Sequence, residues 1–304
     1  MDLIAELSKQ ARERTAAGFR RIISGDPEGV PEWVAQLSVG EGAGLFGPGS
    51  AAWAVHGGLP TLVGGIRALL MQALHPAALA GVMQHSRYET DAMGRLAGTT
   101  QWLTVVTFGD QAQAERECAR VRGMHRRVNG SYEADGQEHA YDATDPELLL
   151  WVHLAFTDSF LTTHEIWGGP IPGGPDGYVR EWARAGEMVG VEQPPRSVVE
   201  LKSALARVEP QLRGGPKARD TAAFICHPPL PLAAQGPYAL LLLGALSTMS
   251  PEHLAMLGLP RVPGVIARPA VSALLAGLSL ALGSTSPSQR AATLRIAGES
   301  ATSD

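Results

Sequence analysis

Four of the basic side chains in residues 64–110 lie within an otherwise apolar stretch of the sequence. No acidic residue occurs between Glu41 and Glu89, while the neighbours of these basic residues are mostly Leu, Ala, Val and Met. Burying a cation costs free energy unless an anion or a hydrogen-bond acceptor meets it. The pattern therefore requires an acidic partner from elsewhere in the fold or a bound anionic ligand, and it favours a cofactor pocket. The four residues are Arg67, His75, His85 and Arg95.

A histidine in a predicted helix has the surroundings that a metal ligand needs. Cys118, Val121, His125 and Val128 are spaced 3, 4 and 3 residues apart, so they share one helical face. A neutral imidazole on a rigid, apolar helix face suits the proximal ligand of a haem iron. The same pattern is also typical of a core histidine whose hydrogen bonds are satisfied within the protein.

Arg95 and Thr99 lie on one face of the preceding predicted helix, together with Trp102 and Val106 at spacings of 4, 3 and 4. A guanidinium and a hydroxyl facing a dry cavity can hydrogen-bond a bound oxygen species or a developing oxyanion. Alternatively, Arg95 pairs with one of the two acidic residues that precede the helix.

Three further histidines are candidates for cofactor contacts. His153 lies between aromatic residues in a later helix and is the alternative to His125 as a metal ligand. His75 precedes Pro76, which disturbs the local helix. His85 ends the apolar segment and could meet the carboxylates of a cofactor.

Several classes of site are excluded because their residues are absent. The chain has no HExxH, ExxH or GxSxG pattern, which argues against zinc hydrolases, di-iron carboxylate proteins and serine hydrolases. The glycine-rich loop at 40–50 includes one GxGxxG spacing, at residues 42–47, but it lacks the strand-then-helix context of a dinucleotide-binding fingerprint. Cys118 and Cys226 are the only cysteines. They form no CxxCH motif, so covalent c-type haem is excluded, and their scarcity is typical of a reducing compartment.

Composition indicates a helical protein without a nucleic-acid partner. The 304 residues are 45% hydrophobic and carry a net charge of −5, with no dense basic patch. No signal peptide is recognisable. Apolar segments at 68–83, 238–249 and 269–282 fall short of the roughly 18–20 residues that a membrane span needs. We therefore expect a cytoplasmic protein without a transmembrane anchor.

Helical periodicity extends over nearly the whole sequence, and no convincing strand pattern occurs. We predict an all-α, single-domain helical bundle over residues 1–304, with apolar C-terminal helices at 237–283 and a loosely docked polar tail at 284–304. Helices are predicted at 2–23, 60–83 with a kink at Pro76, 91–108, 111–128, 146 to about 163, 198–208, 238–249 and 269–282. Loops are predicted at 40–50 and 168–177.

Several segments, in order, resemble one family. They are GGIRALLMQALHP, AGVMQHSRY, GRLAGTTQW, TFGD, MHRRVNG and DPELLLWVH. They are similar to the catalytic domain of the latex-clearing proteins (rubber oxygenases), which the fungal ER-bound oxygenase of mycophenolic acid biosynthesis shares. The resemblance covers about residues 40–208. It implies a helical fold with a globin-like core and a non-covalent haem b, with His125 as proximal iron ligand and with Arg95 and Thr99 near the haem.

Two departures from that family affect the predicted function. Gly98 stands where latex-clearing proteins have a lysine, and the glutamate that they use as a base has no counterpart before Glu89. Polyisoprene is therefore not the expected substrate. We expect a haem b oxidoreductase that acts with O2 or peroxide on a small hydrophobic molecule, such as an isoprenoid or another secondary metabolite. A non-catalytic haem sensor or carrier and a haem-free binder of apolar ligands are the alternatives.

Overall fold

The protein is described here by a computed structural model covering residues 31–85, 92–134, 136–283 and 285–302. The side chains of residues 92–97 and 299–302 lie outside the description, as does the helix predicted at 2–23. The described part is predominantly helical, with fourteen α-helices and one two-stranded sheet. The predicted all-α fold is thereby confirmed.

The described chain begins with six helices. The break between the third and fourth helices, after Gln72, corresponds to the kink predicted at Pro76. Asp110 begins the sixth helix with a reciprocal capping box, in which its carboxylate accepts a hydrogen bond from the backbone N–H of Gln113 at 2.6 Å. The helices are α1 (Glu32–Ala35), α2 (Ala51–Gly57), α3 (Thr61–Gln72), α4 (Pro76–His85), α5 (Ala92–Phe108) and α6 (Gln111–His125).

A β-hairpin follows α6, which corrects the expectation that the chain has no strands. Strand β1 (Asn129–Ala134) pairs antiparallel with β2 (Gln137–Asp142). The hairpin packs against α4, where the amide of Gln84 donates to the carbonyl of Ser131 at 2.8 Å and accepts a hydrogen bond from the hydroxyl of Tyr141 at 2.8 Å. The hairpin thus adds a wall to the helical bundle.

The longest described helix, α7 (Pro146–Trp167), is the central element of the fold. Its start is as predicted, because the Asp145 carboxylate accepts the backbone N–H of Glu147 at 2.8 Å and Pro146 occupies the first turn. Helix α3 packs along it. Trp151 and Leu154 are fully buried in the core between these helices and their neighbours.

Helix α8 (Gly174–Val189) begins inside the segment that was predicted to be a loop. Gly173 precedes it with a positive φ of 71°, a conformation that glycine adopts at little cost. The fully buried Tyr178 and Trp182 lie one turn apart on α8. Two further helices follow, α9 (Val198–Val208) and α10 (Pro216–Cys226).

Four helices form the C-terminal part of the described chain: α11 (Leu232–Ser247), α12 (Pro251–Met256), α13 (Gly264–Leu282) and α14 (Pro287–Thr302). Helix α13 packs against α11 but leaves Val265, Ile266 and Leu280 exposed. It is 19 residues long, and its length and composition would suffice for a membrane span, as would those of α2 and α3 if this pair, bent by 90°, were one span.

Helix α14 corrects the expectation of a loosely docked tail. Ala292 is fully buried, and the buried Arg295 donates hydrogen bonds to the backbone carbonyls of Gly42 at 3.0 Å and Phe108 at 2.8 Å, and also to that of Leu37. One side chain therefore ties the last described helix to two separate segments, residues 37–42 and the end of α5.

Candidate functional site

A cavity of about 510 Å³ lies between α4, α5, α6, α7, α8 and the hairpin. Its volume falls within the range of small-ligand and cofactor sites, roughly 300–1,000 Å³. We call it the His125 cavity. No acidic residue is among the described residues that line it. The lining residues with polar or aromatic groups include His85, Thr99, Trp102, His125, His153 and Trp182.

His125 is the last residue of α6 and lines the cavity. Its Nδ1 atom is buried and has no hydrogen-bond partner among the described residues. Burial lowers the pKa of His125, so the ring is neutral near pH 7. The Asp110 capping box and the bond from the Arg122 guanidinium to the carbonyl of Met188 fix both ends of the helix that carries it. The result is a neutral imidazole on a rigid support.

His153 lines the same cavity from the middle of α7. Its complete burial lowers its pKa from 6.5 to about 4, so this ring is also neutral. The ring packs tightly against α8, since a Cβ atom on Gly186 would lie only 2.8 Å from its Nδ1 atom. Its Nε2 atom lies 3.4 Å from the hydroxyl oxygen of Thr157. His153 is therefore more closely held by protein groups than His125.

Helix α5 brings Thr99 and Trp102 to the cavity, as the predicted helical stripe required. Trp102 packs edge-on against Trp182, with ring centroids 5.8 Å apart. Gly98 also lines the cavity, and a Cβ atom there would meet nothing within 4 Å. Arg95 belongs to the same helix, one turn before Thr99, but its side chain lies outside the described residues.

His85 closes the cavity near the hairpin. Its Nε2 atom lies 2.8 Å from the carbonyl oxygen of Asn129, and its ring meets that of Tyr141 edge-on. Tyr141 and Ala143 belong to the lining, which means that the hairpin forms part of the site.

Arg67 and His75, by contrast, do not line this cavity. The guanidinium of Arg67 is 2.6 Å from the Asp158 carboxylate and donates to the hydroxyl of Ser159 at 2.8 Å. Its anionic partner is therefore a residue of α7. His75 lies 3.2 Å from the side-chain oxygen of Gln211.

Four cavity-lining residues have buried polar atoms without a hydrogen-bond partner in the described part of the chain. They are Nε2 of Gln72, Nε1 of Trp102, Nδ1 of His125 and Nε1 of Trp182. Each such atom costs about 1–3 kcal/mol unless a ligand or water meets it. The described residues hold no cluster of three or more His, Cys, Asp or Glu side chains for a bare metal ion. A haem iron needs only an axial protein ligand, and His125 fits that role.

Sequence comparison connects this site with known proteins. The profile of the family described as "ER-bound oxygenase mpaB/B'/Rubber oxygenase, catalytic domain" matches residues 53–280, three-quarters of the chain. The match contains every residue that lines the His125 cavity. The searches of curated proteins and of solved structures gave no match.

Proposed function

We propose, from the premise that this chain belongs to the family of ER-bound oxygenase mpaB/B' and rubber oxygenase catalytic domains, that it is a haem b-dependent oxygenase for a small hydrophobic substrate. O2 or peroxide would be its co-substrate. The observation that carries the haem proposal is the buried Nδ1 atom of His125, which has no hydrogen-bond partner among the described residues and belongs to a side chain that lines a cavity of about 510 Å³.

His125 is proposed as the axial ligand in preference to His153. Both rings are neutral, as iron ligation requires, because burial lowers both pKa values. Of these two histidines, only His125 has a buried ring nitrogen without a partner in the described residues, whereas His153 is packed against Gly186 and lies near the Thr157 hydroxyl. Ligation would satisfy one orphaned atom of His125 without disturbing other contacts.

The remaining groups would hold the cofactor and the substrate. Arg120 lines the cavity and can donate a hydrogen bond from Nη1 to a carboxylate of a haem, because its Nε and Nη2 atoms are the ones that bind the Glu117 carboxylate. His85 also lines the cavity, with Nε2 beside the carbonyl of Asn129. Apolar side chains such as Val121, Val152 and Phe156 exclude water and suit a hydrophobic substrate. Bound haem would supply the oxygen chemistry of the site.

Thr99 is proposed to orient the reacting oxygen. Its hydroxyl can donate a hydrogen bond to an oxygen atom within the cavity that it lines. Arg95 is proposed as its partner, because it precedes Thr99 by one helical turn and the family resemblance assigns both residues to the haem environment. Neither residue is required to bind the iron.

A non-catalytic haem sensor or carrier is the second candidate. It is favoured by the lack of any carboxylate among the described lining residues and by Gly98, which supplies no side chain where the latex-clearing proteins have a lysine. A general base for an oxygenase would then have to be a neutral histidine.

The test is to titrate the purified full-length protein with haemin while recording the absorption spectrum. We expect a Soret band that saturates at about one haem per chain, and extraction of all haem by acidified organic solvent. Absence of a saturable Soret band would refute haem binding. Substrate-dependent O2 consumption by the loaded protein would then distinguish the oxygenase from the sensor or carrier.

A further inference from the structure

A second and larger cavity lies at the C-terminal end of α7. Its volume is about 1010 Å³, and its walls come from α2, the end of α7, α13 and α14. We call it the C-terminal cavity. Apolar side chains dominate the lining, among them Trp167, Leu275, Leu282 and Leu294. It shares no lining residue with the His125 cavity.

The cavity exists because small side chains face it. Ser272, Ala276 and Ser279 are spaced 4 and 3 residues apart on α13, so one face of this helix leaves space beside the larger leucines. On the opposite wall, a Cβ atom on Gly57 would lie 2.1 Å from the side-chain nitrogen of Gln289. The glycine therefore lets α14 approach α2 closely and close that side of the cavity.

Arg290 is the only charged side chain among the described residues that line the cavity. Its guanidinium donates to the backbone carbonyls of Thr285 at 3.0 and 3.2 Å and of Leu282 at 3.5 Å. Carbonyl groups satisfy its donors but leave its charge in place. His164, which also lines the cavity, has its pKa lowered by burial and is neutral near pH 7. The cavity thus combines long apolar walls with one net positive charge.

We propose that the C-terminal cavity binds a long-chain monocarboxylate of the fatty-acid type. The alkyl chain would remove apolar surface of the walls from water, and the carboxylate would pair with the Arg290 guanidinium, whose planar shape matches a carboxylate. Leu294 lines the cavity and is 68% exposed, so the ligand enters from its side. The proposal does not depend on haem or on the proposed oxygenase activity.

The experiment measures binding of palmitate and of hexadecanol to the full-length protein by calorimetry, with both ligands below their aggregation limits. We expect one palmitate per chain. Arg290→Gln should weaken palmitate binding at least about tenfold, because it removes a charge-assisted hydrogen bond. The same substitution should leave hexadecanol binding unchanged. Arg261→Gln is the matched control, since Arg261 is exposed and lies outside the cavity lining.

Ser279→Phe should abolish binding of both ligands by filling the cavity, and Ala276→Phe provides a second variant of the same kind if the first fails to fold. The His125→Ala variant should bind palmitate as the wild type does. Three results would overturn the proposal: no palmitate binding by the wild type, equal effects of the two arginine substitutions, or full palmitate binding by a folded cavity-filling variant.

Discussion

The His125 cavity and the C-terminal cavity differ in a way that their sizes do not reveal. The lining of the smaller one, of about 510 Å³, includes two neutral histidines and four residues with buried polar atoms that have no hydrogen-bond partner among the described residues. The larger one, of about 1010 Å³, has mostly apolar walls, one arginine whose donors are satisfied by carbonyls, and one buried polar atom of this kind, Nδ1 of His164. Several buried polar atoms without hydrogen-bond partners, more than the volume of a cavity, indicate where a cofactor binds.

The two cavities also differ in their relation to the family. All residues that line the His125 cavity fall within the match at 53–280. Part of the wall of the C-terminal cavity, from Thr285 to Leu294, lies beyond the end of the match. The first cavity is therefore the candidate for the oxygenase chemistry of the family, while the second depends on a helix outside the matched region.

The largest expected effect follows from removal of the His125 imidazole, which tests whether this residue holds the cofactor. His125→Ala should lower haem affinity at least about 100-fold, because loss of a ligand should exceed the 10–100-fold cost of disturbing groups around a ligand. The measurement is haemin titration followed at the Soret band. Added imidazole should restore part of the spectrum.

His153→Ala and Ser279→Phe are the controls for this variant. The first removes the competing histidine from the same cavity, and the second fills the other cavity. Both should keep haem affinity within a few-fold of the wild type. Loss of the iron–imidazole signature in His153→Ala but not in His125→Ala would reverse the assignment.

The next effect concerns Arg67, which belongs to neither cavity. Arg67→Met should lower the free energy of unfolding by about 3 kcal/mol, because it leaves the Asp158 carboxylate without its partner in a mostly buried pair. Denaturant unfolding measures this change. The double variant Arg67→Met with Asp158→Leu should recover most of it, and haem affinity should not change. A large loss of haem affinity in a stable Arg67→Met protein would instead place Arg67 in the cofactor site.

Titration of buried histidines should give stability a pH dependence below neutrality. His153 and His56 have pKa values lowered by burial to about 4 and about 3, so they are neutral when folded but protonate near pH 6.5 when unfolded. The unfolded state therefore binds more protons below pH 6.5, and the free energy of unfolding falls as the pH is lowered from 6.5 towards 4. His153 alone accounts for about 3 kcal/mol.

Unfolding curves between pH 4 and 7 check this dependence. His153→Phe should remove part of the slope, while His56 of α2 and the other histidines whose pKa values burial lowers, such as His125 and His164, supply the rest. His227→Gln, a substitution at an exposed histidine, is the control and should leave the slope unchanged. An unaltered slope in His153→Phe would show that burial does not lower the pKa of His153 in the folded wild-type protein.

The smallest expected effect comes from a change in α14, which lines the C-terminal cavity but not the His125 cavity. Arg295→Met should lower the free energy of unfolding by about 2 kcal/mol, because three backbone carbonyls lose their donor. It should also weaken palmitate binding, since α14 forms a wall of the C-terminal cavity. Haem affinity should stay unchanged. Equal losses in both ligand titrations would mean that the cavities are not independent.

Local sequence rules predicted most helices well. Asp145 with Pro146 correctly marked the start of α7, and Pro76 marked the break between α3 and α4. The hairpin was missed although Asp135-Gly136 is a common hairpin turn, because the flanking residues are too polar to show alternation clearly. Helix α8 was missed because its glycine- and proline-rich start resembles a loop.

Long-range partners could not be predicted from the sequence. The cavity unites Thr99, His85, His125 and His153 from four helices, which fits the cofactor pocket that the spacing suggested. That Arg67 would instead meet Asp158, 91 residues later in the chain, is a matter of tertiary packing. The same holds for Arg295, whose three acceptors lie in two distant segments and whose burial gives no periodic signal.

Helix α7 is continuous between the two cavities and so fixes the distance between them. His153 at the first cavity and Trp167 at the second are fourteen residues apart on one continuous helix, hence about 21 Å along its axis. A haem beside His153 would therefore be close enough to quench the fluorescence of Trp167 by resonance energy transfer. In a variant that keeps Trp167 as its single tryptophan, the fluorescence lifetime of Trp167 would therefore report the fraction of protein that holds haem.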